Sequence, residues 1–182
     1  MQTPAVAREA RAPLNAPASL ACAALTYARH GWRVLPVHAM HDSRCTCGHF
    51  DCPHPGKHPI LRNGLTGASS EEGVVADWWR RWSLARIGLA VPDGWLVIDV
   101  DDFDAFADLA ARGLHLPDTL TAATPRGQHL YYRVRQRVAP KVAILPHVDL
   151  RGPGSYVIAP PSSPGYRWLS VPEHEVPYLE LD

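Results

Sequence analysis

The sequence carries no excess of charge of either sign, because 18 lysines and arginines balance 18 aspartates and glutamates among its 182 residues. Global electrostatics therefore give no reason to expect binding to nucleic acid or to a membrane surface, and any such contact must come from a local patch. No stretch approaches the roughly 20 consecutive apolar residues that span a bilayer. The N-terminus also lacks the charged-then-apolar order of a signal peptide. We expect a cytoplasmic protein with no membrane contact.

Cysteine is scarce, but three of the four cysteines lie within eight residues, from Cys45 to Cys52. In a chain without an export signal, such a cluster is more typical of a metal site than of disulfides. Cys45, Cys47, Cys52 and His58 follow the pattern C-x-C-x4-C-x5-H. Three thiolates and an imidazole suit a closed, structural zinc site, because four protein ligands leave no open position for catalysis. The competing candidates for the fourth ligand are His41, His49 and His54.

Helical periodicity comes early in the chain and strand-like alternation comes late. Residues 1–16 are rich in Ala and Pro and predict a disordered N-terminal segment, followed by one domain over 17–182. Helices are predicted over 18–31, 69–82 and 101–114, and strands over 32–38, 86–91, 95–101 and much of the last third. Few clean βαβ units favour an α+β fold with a mixed or antiparallel sheet. The Cys/His-rich stretch 38–67 is longer than a connection needs to be, which is typical of a functional loop.

Individual side chains within these helices can also be assigned. Cys22 is expected to be a small buried hydrophobe. Ser69 and Glu72 have the spacing of a capping box at the start of the second helix. In the third helix, Phe103 and Ala110 are expected among the residues that face inward.

The segment WLVIDVDDFDAF runs an apolar strand directly into four aspartates. Because side chains alternate along a strand, Asp99 and Asp101 share a face and lie close together. Two ionised carboxylates so placed repel unless a cation or a proton compensates, so we expect Asp99→Ala to leave stability unchanged or raised. A hard divalent ion such as Mg²⁺ is bound by such a pair. Asp102 and Asp104 fall in the first turn of a helix, where acids need no other role.

Two later segments, TPRGQHLYY and VDLRGPGSY, place further charged residues at strand ends. A lone strand histidine is more often structural, but His129, next to Arg126 and a glycine that lets the backbone approach a ligand, could instead bind phosphate. Asp149 and Arg151 alternate onto one face of their strand. For that pair, an ordinary ion-paired loop is the competing interpretation.

Six segments, in this order, carry a resemblance to a known family: ALTYARHGWRVLPVH, CTCGHFDCPHPGKHP, ADWWRRWSLARIGLAV, VIDVD, TPRGQHLYY and VDLRGPGSYVIAPPS. From about residue 20 to 170, the chain resembles the primase–polymerase (Prim-Pol) domain of the archaeo-eukaryotic primase superfamily, as found in bifunctional DNA primase/polymerases. The resemblance implies a Prim-Pol fold around an RRM-like mixed sheet, with a zinc-binding loop inserted at about residues 38–60. Residues 17–182 would form the catalytic domain.

The resemblance also implies roles for particular residues. The metal-binding aspartates of the family correspond to Asp99, Asp101 and Asp149, which would hold catalytic Mg²⁺ or Mn²⁺. The motif histidine corresponds to His129, which would act at the catalytic centre and contact the phosphates of the incoming nucleotide. The family's arginine corresponds to Arg151, which would hold the triphosphate. From charge and position alone, we add Arg126 and Lys57 to the predicted nucleotide-binding residues.

The implied function is DNA primase/polymerase activity in DNA replication, a templated nucleotidyl transfer in which two metal ions clamp the attacking and leaving oxygens. The partners would be a DNA template and primer, dNTPs or NTPs, and a helicase or primase C-terminal module in the same or another chain. The basic run RVRQRVAPK is either a template contact or a solvated surface strand. The alternatives are a metal-dependent nuclease that uses the same aspartates and a catalytically inactive or accessory nucleotide- or nucleic-acid-binding domain.

Overall fold

The computed structural model describes residues 19–162, 165–171 and 175–180. The disordered segment predicted for residues 1–16 lies outside these described residues. Within them the architecture is α+β, as predicted, with three α-helices and two main sheets. No helix in the described ranges is both long enough and apolar enough to cross a membrane.

The elements follow the predicted order, with helices concentrated in the first two thirds of the chain. The helices are α1 (Leu20–Arg29), α2 (Glu72–Arg81) and α3 (Asp104–Ala111). The strands are β1 (Val34–Val37), β2 (Met40–His41), β3 (Arg44–Cys45), β4 (Arg86–Ala90), β5 (Trp95–Val100), β6 (Leu120–Ala123), β7 (Gln128–Arg133), β8 (Lys141–Leu145), β9 (Val148–Arg151), β10 (Tyr156–Ala159) and β11 (Arg167–Ser170).

The strands form a six-stranded sheet in the order β11-β6-β7-β5-β9-β8 and a three-stranded sheet in the order β1-β4-β10, and β2 pairs with β3 inside the Cys/His-rich loop. Every ladder between these strands is antiparallel. The mixed sheet implied by the resemblance is therefore wrong for the described strands, although the antiparallel alternative is correct. The only parallel pairing among the described residues is an isolated bridge between Arg133 and Tyr178.

The six-stranded sheet is covered on both faces, with β5 near its centre. Leu96 and Ile98 point to the face on which α3 packs through Ala105 and Leu109. The intervening Val97 points to the other face, where α1, α2 and the three-stranded sheet build the largest apolar cluster. The predicted alternation along β5 is therefore confirmed. Because of this alternation, the odd-numbered residues of β5, which include Asp99, point towards the three-stranded sheet.

Cys22 is exposed rather than buried. Helix α1 buries Ala24, Tyr27 and Ala28 against the core. A residue two positions before Ala24 is rotated by about 200° around the helix axis and therefore faces solvent. The predicted burial of Cys22 was wrong because it was based on the usual burial of free cysteine, whereas the position of Cys22 on the helix places it towards solvent.

The inward face of α3 also differs from the prediction. Phe103 precedes the helix and is 61% exposed, and Ala110 is exposed as well. The buried positions are Ala105 and Leu109, which are separated by one helical turn. Of the two aspartates predicted in the first turn, Asp104 lies there, whereas Asp102 precedes the helix and its carboxylate accepts a hydrogen bond from the backbone N–H of Asp104.

The predicted capping box at the start of α2 does not form. The helix begins at Glu72, and the Ser69 hydroxyl accepts a hydrogen bond from the backbone N–H of Glu71, outside the helix. Ser69 instead pairs its backbone with that of Val34 in β1. A sequence match to a capping box fixes the spacing of the two side chains but not the residue at which the helix begins.

Candidate active site and metal centre

Three polar residues form a row across the middle of the six-stranded sheet. In β5, Asp99 lies directly opposite His129 of β7 on one side and directly opposite Asp149 of β9 on the other. Directly opposed residues of antiparallel strands project from the same face. His129 Nε2 is 3.4 Å from Asp99 Oδ1. The sheet register thus brings together three residues that lie far apart in the sequence.

Arg151 joins this row from the next same-face position of β9. One terminal nitrogen of its guanidinium lies 3.3 Å from Asp99 Oδ2 and 2.5 Å from Asp149 Oδ2. The arginine therefore bridges the two carboxylates and offsets their repulsion. We call Asp99, His129, Asp149 and Arg151 the polar row.

The polar row is largely withdrawn from solvent. The side chain of Asp99 is only 13% exposed and that of His129 only 6%. Burial acts to raise the pKa of Asp99, but the hydrogen bond and charge of His129 and the charge of Arg151 outweigh it and lower this pKa below its ordinary value. His129 Nδ1 is buried and has no hydrogen-bond partner among the described residues. Such an atom lowers stability, so folding alone does not explain a histidine here.

A distorted edge strand fixes the orientation of Asp149. The backbone N–H of Ala143 in β8 donates a 2.7 Å hydrogen bond to Asp149 Oδ1. Ala143 has a positive φ of 51°, and the β8–β9 register shifts between Lys141 and Leu145. The sequence did not predict β8, because its residues are partly or fully exposed and show no alternation. This irregular strand leaves the other Asp149 oxygen facing Arg151.

Asp101 lies apart from the polar row. It follows β5, its side chain is 35% exposed, and its Oδ2 lies 3.1 Å from Nη2 of Arg126. In the part of the chain that the structure describes, the three predicted aspartates do not form a compact three-ligand group. The structure therefore brings Asp99 and Asp149 together and places Asp101 in a second ion pair beside them.

The oxygen donors of this site suit a hard divalent cation. Mg²⁺ and Mn²⁺ prefer carboxylate oxygen, and Mg²⁺ sites commonly use one or two protein carboxylates together with substrate phosphates. Asp99 and Asp149 supply two such groups on adjacent strands, and Asp101 supplies a third at the end of β5. The residues present therefore fit the metal that the sequence predicts, with Arg151 as the cation that balances them in this structure.

The turn that carries Arg126 packs directly against the end of β5. Thr124 holds this turn, because its hydroxyl accepts hydrogen bonds from the backbone N–H groups of Arg126 and Gly127. A Cβ atom built on Gly127 would lie 1.9 Å from the carbonyl oxygen of Val100. Only glycine allows the two backbones to approach so closely. This close approach sets Arg126 beside Asp101.

We predict that Gly127→Ala destabilises the protein by about 1–3 kcal/mol or more, because the turn must move away from β5. The measurement is the free energy of unfolding from chemical denaturation. The matched control is Gly73→Ala in α2, where a Cβ would meet nothing within 4 Å. There the substitution should stabilise by about 0.5 kcal/mol through lower backbone entropy in the unfolded chain. Equal stability changes in the two variants would contradict the assigned contact.

The second candidate site is the Cys/His cluster in the loop between β1 and α2. The ligand atoms of Cys45, Cys47, Cys52 and His58 all lie within 4.8 Å of one another. His58 Nε2 is 3.5 Å from the sulfur of Cys45 and 3.4 Å from that of Cys52. Three sulfurs and one nitrogen at this spacing could hold zinc with tetrahedral geometry. Among the predicted alternatives for the fourth ligand, the structure places His58 in the cluster and leaves His41, His49 and His54 outside it.

Cys45 is the most strongly held member of this cluster. Burial acts to raise the pKa of its thiol, but hydrogen bonds from the backbone of Gly56 and Cys47 and from neighbouring side chains lower it to about 6. A thiolate, rather than a thiol, is the form that binds metal. The ring of His58 packs against that of His38, with centroids 4.4 Å apart. Both ends of the cluster are therefore fixed by contacts from the surrounding loop.

Lys57 and the basic run do not join either site through their side chains. Lys57 is exposed; its backbone carbonyl accepts a hydrogen bond from the Tyr156 hydroxyl, and its backbone N–H donates to the carbonyl of His54. In the basic run, Arg133 stacks over the ring of Trp95 at 5.0 Å, and Arg135 stacks over that of Tyr178 at 4.7 Å. These arginines pack on aromatic residues of the same chain. Only the two ends of the run lie in strands, because residues 134–140 connect β7 to β8, so the surface-strand interpretation is wrong for most of it and the template contact stays a prediction.

Three residues close to the polar row had not been singled out from the sequence. The ring of Tyr166 lies 6.2 Å from that of His129, and the Arg86 guanidinium lies over the Tyr166 ring, 6.0 Å from its centroid. Tyr156 begins the strand that follows Arg151. The available signal for Tyr156 was its position directly after the glycine-rich turn of VDLRGPGSY. Arg86 and Tyr166 gave no local signal, because their contacts depend on tertiary structure.

The family described as "Bifunctional DNA primase/polymerase, N-terminal" (Prim-Pol) matches residues 24–180, nearly the whole chain. No curated protein matches the chain. The matched range includes the polar row, the Asp101–Arg126 pair and the Cys/His cluster. The chain therefore belongs to the Prim-Pol family of bifunctional DNA primase/polymerase N-terminal domains.

Proposed function

We propose that residues 17–182 form a catalytic domain that performs template-dependent nucleotidyl transfer, as a DNA primase or DNA polymerase. The observation that supports this most strongly is the register of Asp99 and Asp149 on adjacent central strands, with Arg151 between their carboxylates. Phosphoryl transfer depends on positioning and on electrostatic stabilisation by metal-binding carboxylates and cationic groups at one place. Family membership supports the same class of reaction.

In this proposal the aspartates hold Mg²⁺ or Mn²⁺ and the cationic residues hold the nucleotide. When bound, the metal ions stabilise the charge on the attacking and leaving oxygens. Asp99 and Asp149 provide the central carboxylates, and Asp101 provides a third from the end of β5. His129 orients towards the phosphates while its contact with Asp99 fixes the ring. Arg151 moves from neutralising two carboxylates to neutralising the triphosphate.

The charge balance of the site supports a substrate that arrives with cations. Three carboxylates face two guanidinium groups, those of Arg151 and Arg126. A nucleoside triphosphate adds several further negative charges, which two arginines cannot offset. Divalent cations bound with the nucleotide restore the balance. Lys57 remains a proposed addition to the nucleotide-binding set, since it lies in the loop that borders the site.

The competing functions use the same residues differently. A nuclease could use the same carboxylates to activate water rather than a primer terminus, and an accessory domain could bind nucleotides without reaction. The presence of the complete polar row argues against an inactive domain. We also infer that the six-stranded sheet is the counterpart of the RRM-like core of the family. A helicase or a primase C-terminal module, in the same or another chain, would assist with the template.

The test is extension of a labelled primer on a DNA template, with dNTPs or NTPs and Mg²⁺ or Mn²⁺. Metal-dependent lengthening that requires the template would support the proposal. Shortening of the primer would replace it with the nuclease function. Nucleotide binding without any change in primer length would favour the accessory domain.

A further inference from the structure

Two adjacent carbonyl groups of the Cys/His loop accept hydrogen bonds from side chains outside the loop. The carbonyl of Gly56 accepts a hydrogen bond from Arg86 Nη1 at 2.9 Å, and that of Lys57 accepts one from the Tyr156 hydroxyl at 2.6 Å. Both carbonyls lie between the last two members of the cluster in the sequence. A displacement of this short segment therefore moves both acceptors together.

The first of these contacts leads to the polar row through Arg86. This side chain is buried and its guanidinium lies over the ring of Tyr166, 6.0 Å from the centroid. The ring of Tyr166 packs in turn against that of His129, with centroids 6.2 Å apart. Cation–π and tilted aromatic contacts at these separations are attractive. A continuous set of packed groups thus joins the Gly56 carbonyl to His129, which contacts Asp99.

The second contact is made by Tyr156, which lies close to Arg151 in the chain. Tyr156 begins β10, and a turn that starts at Gly152 separates it from Arg151 at the end of β9. Burial raises the pKa of Tyr156, and the positive charge of Arg151 acts in the opposite direction. The Tyr156 hydroxyl is held by the Lys57 carbonyl. Through Tyr156, the loop is therefore hydrogen-bonded to the strand that follows Arg151 in the chain.

The conformation and surroundings of Gly56 require glycine at the point where the loop contacts Arg86. Its φ is +68°, and an added Cβ would lie 3.0 Å from Met40 Cγ and 3.2 Å from Arg86 Nη1. The backbone N–H of the same residue donates to the sulfur of Cys45 at 3.3 Å. One residue thus bonds to a cluster sulfur through its N–H and to the buried arginine through its carbonyl. The main chain of Gly56 therefore links the cluster to the Arg86 side chain, which continues the connection towards the polar row.

We propose that Arg86 and Tyr156 are positioning residues that couple the Cys/His cluster to the polar row, so that zinc binding and nucleotide binding strengthen each other. The zinc site would then help to shape the nucleotide site as well as holding its own loop. The inference rests on the proposed function, because it takes a nucleoside triphosphate as the ligand of the polar row. Coupling between two ligands is reciprocal, so either ligand reports on the other.

The test is a competition titration of the zinc-loaded protein with a chromogenic chelator, with and without a dNTP mixture and Mg²⁺. We expect dNTPs to raise the apparent zinc affinity by about fivefold or more, the lower range of typical coupling. In Tyr156→Phe, which loses only the hydroxyl, the change should fall below about twofold. The KM for dNTPs should rise in this variant, while kcat stays close to the wild-type value.

The matched control is Tyr132→Phe. The Tyr132 hydroxyl also donates to a backbone carbonyl, that of Pro117 at 2.7 Å, but on the face of the sheet that packs against α3. This variant should keep the full effect of dNTPs on zinc affinity. A second variant, Arg86→Lys, keeps the charge but loses the planar stacking group, and should also weaken the coupling.

Direct titration of dNTPs by calorimetry distinguishes the possible failures. If dNTPs bind but leave the zinc affinity unchanged, the coupling is wrong and the proposed function stands. If Tyr156→Phe and Tyr132→Phe reduce the effect equally, the positioning role of Tyr156 is wrong. If dNTPs do not bind in the presence of Mg²⁺ or Mn²⁺, both the coupling and the proposed function are overturned.

Discussion

Replacement of Asp99 by Asn is expected to reduce templated nucleotide incorporation by about 100-fold or more. Asp99 is the central member of the polar row, in register with both His129 and Asp149 and in contact with Arg151. Asparagine keeps the size of the side chain but removes its charge and one acceptor oxygen. In the proposed mechanism, this loss weakens metal binding and releases His129 and Arg151 from their shared partner. The measurement is the steady-state rate of primer extension at saturating Mg²⁺ or Mn²⁺.

The control for Asp99→Asn is Asp108→Asn, which makes the same chemical change at an exposed position of α3. Helix α3 packs on the opposite face of the six-stranded sheet, so this variant should keep wild-type activity. Comparable losses in the two variants would point to a general effect of charge. An active Asp99→Asn enzyme would remove Asp99 from the proposed catalytic residues.

Asp99→Asn should also have a lower free energy of unfolding than the wild type at neutral pH. The sequence suggested the opposite, namely that loss of this charge leaves stability unchanged or raised. From the sequence, repulsion between neighbouring carboxylates was expected to make Asp99 destabilising. In the structure, His129 and Arg151 stabilise the negative charge of Asp99 and lower its pKa from 3.8. A depressed pKa means that the ionised form stabilises the fold above the unfolded-state pKa and that this contribution disappears as pH falls through the folded-state pKa. The stability difference between wild type and Asp99→Asn should therefore shrink on acidification below 3.8. A difference that is independent of pH would contradict this assignment.

Local periodicity predicted which face of β5 carries Asp99, because side chains alternate along any strand. It could not predict the partners of Asp99, because the pairing of β5 with β7 and β9 depends on the register between strands distant in the sequence. The family resemblance grouped Asp99, His129 and Asp149 before any geometry was known. The structure adds that Asp99 is in direct register with both of the others.

The Cys/His cluster was the most predictable site, because its four residues lie within a short span of the sequence and clustered cysteines serve mainly as metal ligands or in disulfides. By contrast, Asp101 was expected to converge with Asp99 and Asp149, and it pairs with Arg126 instead. The alternation of β5 places it on the correct face, but the turn at Gly127 brings a cation to it. Arg86 was equally inaccessible to prediction, since its partners in the loop and at Tyr166 are contributed by distant parts of the chain.

Removal of the predicted zinc ligands Cys45 and Cys47 should have the largest effect on the loop. We expect the wild type to contain about one zinc per chain and the Cys45→Ser/Cys47→Ser variant to contain almost none, because serine is a poor zinc ligand. Structural zinc sites contribute binding free energy directly to folding. The variant should therefore unfold at a lower temperature, and the loop should become sensitive to protease. Elemental analysis, thermal unfolding and limited proteolysis provide the measurements.

The control for the zinc prediction is the remaining cysteine. Cys22 lies exposed on α1, outside the cluster, so Cys22→Ser should retain both the zinc content and the unfolding temperature of the wild type. Because Gly56 and Lys57 lie inside the loop and contact Arg86 and Tyr156, loss of zinc should also weaken dNTP binding before the domain unfolds. Absence of zinc from freshly purified wild-type protein, or full zinc content in the double variant, would show that the four clustered residues serve a purpose other than zinc binding.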